Sequence, residues 1–214
     1  GIRDAQESRG LGDVYKRQVP ASRLREELKG LYCKKTTAAL LELGHRYRIN
    51  QHWLPSEIAE NCLEAIPLIK QIENFYPTAN NDKELEKMVV AALILPGIFK
   101  KFPLADNVRL NLVQELVEER LKPINQRFNL PRFQRHAIKD IFTLLYRIGR
   151  GDKRVKKLLS RDHFFAALFF YAAINNQASN KPHHFSFWQK QCESLNRNSK
   201  AKNLDYSNLF TKIS

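Results

Sequence analysis

Apolar residues recur along most of this chain at spacings of three and four, the period of one face of an α-helix, and strict alternation is almost absent. The pattern predicts helix after helix. Ser22 is read as the N-cap of a helix over 22–32. A second covers 36–47 and stops near Gly44. Pro55-Ser56-Glu57 opens a third, with Ile58, Cys62, Ile66 and Ile69 on one face and Pro67 inside it as a kink or a split. Pro77 and Asn80-Asn81-Asp82 mark a loop. Asn81 or Asp82 then caps a helix ended after Leu95 by Pro96-Gly97, and another spans 106–121. The expected fold class is all-α, an irregular multi-helix array.

The strongest periodicity lies in 131–148. Phe133, Ala137, Ile138, Ile141, Phe142, Leu144, Leu145 and Ile148 form an apolar stripe, with Arg132, Arg135 and Lys139 on another face. Gly149-Arg150-Gly151 breaks the helix. Asp152 caps a short one that carries Lys153, Arg154, Lys156 and Lys157 outward and Val155, Leu158 and Leu159 inward. Asp162 opens a strongly apolar helix to 173. The stretch "NNQASNKPHH" (175–184) reads as a linker, 184–195 as a last helix, and the final dozen residues as loose. The expected division is 19–80, 81–176 with a basic face, and a polar remainder over 177–214.

Residues 1–18 fit none of this. Residues 13–18, Asp-Val-Tyr-Lys-Arg-Gln, back-translate to a transposase end sequence used to fragment DNA, and 8–12 and 1–4 continue into the same sequencing adapter. The stretch is therefore read as a translated adapter, set aside from fold reasoning. The natural chain is then expected to be cut at Val19, with any domain encoded upstream missing.

Charge sharpens the picture. The formal net charge is +14, and a pI near 9.8 points to a polyanionic partner, nucleic acid before membrane. Between residues 120 and 161 there are 13 Lys and Arg against two acids, Asp140 and Asp152. Acids look too scarce there for mutual pairing, so the segment is read as contacting an RNA or DNA backbone. A helix-turn-helix over 132–159 is a weaker alternative. The apolar runs at 88–99 and 164–174 are too short to span a bilayer. Three scattered cysteines without a C-x-x-C pair suggest a reduced cytoplasm, and neither zinc nor disulfides.

Catalytic motifs are not visible: there is no Asp-x-Asp pair and no Gly-rich phosphate loop. Glu118 and Glu119 are taken to solvate different sides of a helix. His183-His184 read as loop histidines and His163 as a capping residue. Trp53 and Trp188 are candidates to stack bases.

Two stretches resemble a known family. "VPASRLREELKGL" (19–31) is similar to the neck helix of class II nucleotidyltransferases, the bacterial poly(A) polymerases and CCA-adding enzymes. "NLPRFQRHAIKDIFTLLYRIGRGDKRVKKLLSRDHFFAALFFYAA" (129–173), with Trp188 beyond it, resembles the body of bacterial poly(A) polymerase I. The resemblance covers about 19–195. It implies a parent enzyme that adds AMP from ATP to RNA 3′ ends, using magnesium held by a catalytic head that this stretch lacks, so the isolated fragment is expected to be inactive. It also implies that Arg23 and Glu26 support the neck beside the head's nucleotide pocket. Arg132, Arg135, Lys139, Arg147, Arg150, Lys153, Arg154 and Lys157 are then expected to guide the RNA backbone. The tail, "LNRNSKAKNLDYSNLFTKIS", is only mildly basic, unlike the family's Arg-rich end. The alternatives are the body of a tRNA CCA-adding enzyme and a non-enzymatic helical nucleic-acid-binding protein.

Overall fold

The computed structural model describes residues 20–76, 82–104, 107–152, 154–176 and 184–198. The adapter-like residues, Lys153, His183, most of the linker and the tail lie outside them. Among the described residues there are ten helices and no strand. They are α1 (Ala21–Cys33), α2 (Thr37–Arg46), α3 (Asn50–Trp53), α4 (Ser56–Phe75), α5 (Asp82–Lys101), α6 (Leu110–Phe128), α7 (Arg132–Gly149), α8 (Val155–Leu159), α9 (Phe164–Asn176) and α10 (Phe185–Asn198).

The array is built round α5, which packs on α1, α4, α6 and α7. A helix enclosed on every side must be apolar on every side, and residues 88–95 are all buried. The same holds for α9, buried from Phe164 to Ala173 and packed on α7, α4 and α8. The buried side chains form one continuous cluster from Leu28 to Trp188.

Several expected boundaries move, each for a physical reason. Pro20, not Ser22, takes the N-cap of α1: its fixed φ suits the position, and its carbonyl accepts the Leu24 amide at 3.0 Å. α2 runs through Gly44 to Arg46 because Asn50 packs against the bare Cα, where a Cβ would run into its side-chain oxygen. The short α3 follows from that contact and has no periodic signal of its own. Pro67 neither kinks α4 to a break nor splits it, and α5 passes Pro96 to end at Lys101. α6 starts at Leu110 and passes Pro123 to reach Phe128. An interior proline costs a helix about 3 kcal/mol, and the buried faces on both sides of each one outweigh that.

Buried polar groups hold the elements in register. The N-terminus of α2 has no cap of its own. Glu73 of α4 supplies it, accepting from the Thr37 and Ala38 amides at 2.7 and 3.3 Å. Glu86 of α5 is buried and accepts from Arg25 Nε at 2.6 Å and Arg25 Nη2 at 2.9 Å. It also accepts from Gln134 Nε2, so one carboxylate ties α1, α5 and α7 together. The Arg25 hydrogen bonds to Glu86 raise the Arg25 pKa.

Candidate nucleic-acid interface

The basic face is the polar side of α7 and its continuation into α8. Ala137, Ile138, Ile141, Phe142, Leu144, Leu145 and Ile148 are buried as the stripe predicts, and Gln134 and Tyr146 join them. Phe133 does not: it is 57% exposed. Helix geometry places Arg132, His136, Lys139, Thr143, Arg147 and Arg150 together on the opposite side, along a helix about 27 Å long. α6 packs along part of this side. Gln114 Nε2 of α6 donates to Thr143 Oγ1 at 3.0 Å, and Tyr146 Oη donates to the Phe102 carbonyl.

The turn after α7 is a close fit. Gly151 adopts φ +68° and lies against the His184 ring, so a Cβ there would be both strained and in collision. Trp188 of α10 is fully buried behind it. Its Nε1 donates to the Ile148 carbonyl at 3.2 Å, and Phe164 packs on it. Trp188 is thus a core residue and unavailable to stack a base. Trp53 is half-buried against Phe128, with Nε1 donating to Asn50 Oδ1 at 3.2 Å.

The expectation that acids are too scarce for pairing is corrected. Lys139 Nζ donates to Glu118 at 2.8 Å, and this bond holds the Glu118 carboxyl below its ordinary pKa. Arg154 grips Asp152 through two parallel bonds of 2.9 and 2.8 Å. Arg120 pairs with Glu57. Arg127 donates to the backbone carbonyls of His52 and Trp53, which makes it a structural clamp. Two of the acids, Glu57 and Glu118, lie outside the counted segment, so a local tally of charge could not show them.

Among the described residues, Nε of Arg120, Arg135, Arg147 and Arg150, and Nη2 of Arg150, are buried without a hydrogen-bond partner. A buried charged donor without an acceptor costs about 1–3 kcal/mol or more, and an oxyanion is the acceptor these donors suit best. Arg132 is exposed, with Nε 3.3 Å from His136 Nε2, and Lys157 is exposed. Arg135 also lines a groove of about 210 Å³ between α6 and α7, with Glu118, Glu119, Lys122, Asn125 and Lys139. Glu118 and Glu119, both exposed, each line part of this groove. Arg23 is exposed on α1, and Glu26, also exposed, accepts from Lys29 at 2.6 Å.

His163 is not merely a capping residue. Its Nδ1 is 3.3 Å from Lys87 Nζ, and Lys87 is itself tied to Glu84. Burial first, and the Lys87 charge second, lower the His163 pKa.

Asp152 holds the Arg154 guanidinium. The Arg154 hydrogen bond lowers its pKa, so the pair holds through neutral pH and releases only as acid protonates the carboxylate. Replacing Asp152→Asn keeps an acceptor for the Arg154 amide but frees the guanidinium. If this face meets a nucleic-acid strand, the affinity should rise several-fold at pH 7 and the salt slope should steepen by about 0.7. A salt titration checks this, and unchanged values would place Arg154 off the track.

No helix of the described residues is long and apolar enough to cross a membrane. A scan against protein-family models and searches of curated proteins and solved structures find no match to the chain.

Proposed function

We propose that this chain binds RNA along α7 and α8, as the neck-and-body part of a poly(A) polymerase of the class II nucleotidyltransferase type. The observation that carries the binding is the basic side of α7, on which Arg132, Lys139, Arg147 and Arg150 share one face with part of each side chain open to solvent. Cations fixed on a rigid helix meet phosphates with little ordering cost and gain from counterion release. The sequence resemblance over 19–31 and 129–173, together with the all-α array, supports the polymerase assignment.

In such an enzyme AMP transfer from ATP uses magnesium. Among the described residues no three His, Cys, Asp or Glu side chains converge as a metal site requires, so these residues do not fit the ion and no catalytic step is routed through them. Their part is to hold the RNA 3′ region while a head in cis performs the chemistry.

Reading the source DNA upstream of the Val19 codon tests the assignment. A frame that continues into a Gly-Ser motif followed by an Asp-x-Asp pair supports it. A start codon within a few residues, with no head, overturns the polymerase and leaves a non-enzymatic helical RNA binder.

A further inference from the structure

We infer that Phe133 is a stacking seat for one unpaired base of the bound strand, which makes the interface selective for single strands. This rests on the RNA-binding reading above. The residue continues an apolar stripe by sequence, yet it stands 57% exposed while Phe142, nine residues along the same stripe, is buried. A phenylalanine held out in water at the edge of a packed helix gains by covering its ring, and the surroundings say with what. Arg132 precedes it and His136 follows one turn later, with Arg132 Nε 3.3 Å from His136 Nε2. Helix geometry puts all three within a sector of about 100°. The one acid on α7, Asp140, lies on the same edge midway to Arg147, against several cations on the helix.

A ring with the Arg132 guanidinium beside it suits a partner that carries aromatic faces and negative charge together, and a single-stranded nucleic acid has both. Phe133 also lies on the edge of α7 that carries Arg147, fourteen residues on, so about 21 Å separates them along the axis. A strand whose phosphates meet Arg147 and Arg150 can therefore lay a base on Phe133 further along. A duplex cannot, because its bases are already stacked.

The test uses the full chain with three probes: a ten-nucleotide oligoadenylate, an abasic oligonucleotide of equal length, and an RNA duplex. Phe133→Ala should weaken oligoadenylate binding about tenfold, with the abasic and duplex affinities and the salt slope unchanged. Phe133→Trp should keep the affinity and report the base by quenched fluorescence. Unchanged oligoadenylate affinity in Phe133→Ala, beside steep salt dependence in the wild type, overturns the seat and leaves the RNA track standing. Equal weakening on the abasic probe, or a dimer that Phe133→Ala dissolves, overturns it as well, assigning the ring to packing or self-association. If the wild type binds none of the three probes, both readings fall.

Discussion

Replacing Arg147→Glu and Arg150→Glu together abolishes most RNA binding while leaving the fold intact. The two guanidiniums stand one helical turn apart, each with at least one nitrogen that has no acceptor among the described residues. Each phosphate contact removed from a single strand lowers the salt slope by about 0.7, and the double variant should therefore flatten it by about 1.4. The charge reversal adds repulsion, so affinity at low salt should fall by about two orders of magnitude. Lys34→Glu with Arg46→Glu is the control. It changes the net charge equally at two exposed positions, in the turn after α1 and at the end of α2, and it should cost only a few-fold. If the two pairs weaken binding equally, RNA answers to net charge alone. The milder Arg147→Gln with Arg150→Gln should flatten the slope by the same amount, with circular dichroism confirming the helices.

The largest effect on stability is expected at Glu86. It is 2% exposed and holds Arg25 and Gln134. Glu86→Leu strips the acceptor from a largely buried guanidinium, and breaking a buried pair from one side costs several kcal/mol. Arg25 keeps some contact with water, so the lower end applies, about 3 kcal/mol. For a chain of this size that lowers the melting temperature by about 6–12 °C. Arg25→Met added to Glu86→Leu should restore much of the loss, because an apolar pair replaces the ionic one without an orphaned charge. A melting temperature unmoved by Glu86→Leu would show that the carboxylate is held as weakly as a surface pair. The network also bears on function, since it fixes α1, where the neck resemblance lies, against the helix that carries the basic face.

Helical periodicity made the array legible because most of its helices bury one face and leave the other wet. It was weakest where packing overrules local preference. Pro67, Pro96 and Pro123 sit inside helices whose buried flanks outweigh their penalty, and no local rule reports those flanks. Gly44 looks like a stop but serves as a landing for Asn50. The basic segment was legible as charge, but its division was not. Which cations are spent depends on Glu57 and Glu118, brought in by other helices. Arg147 and Arg150 look no different in sequence from Arg154, yet the latter is held by Asp152 two residues away. Phe133 was misread for the same reason. Periodicity assigns it to the apolar stripe, while exposure depends on whether a neighbour covers that edge.

One measurement tests the central claim most directly: photo-crosslinking of the full chain to a single-stranded RNA carrying 4-thiouridine, with the modified peptides mapped. Adducts concentrated between Arg132 and Arg161 are the predicted result. Adducts confined to α2, α3 and α4, or none above a charge-matched control protein, would contradict it.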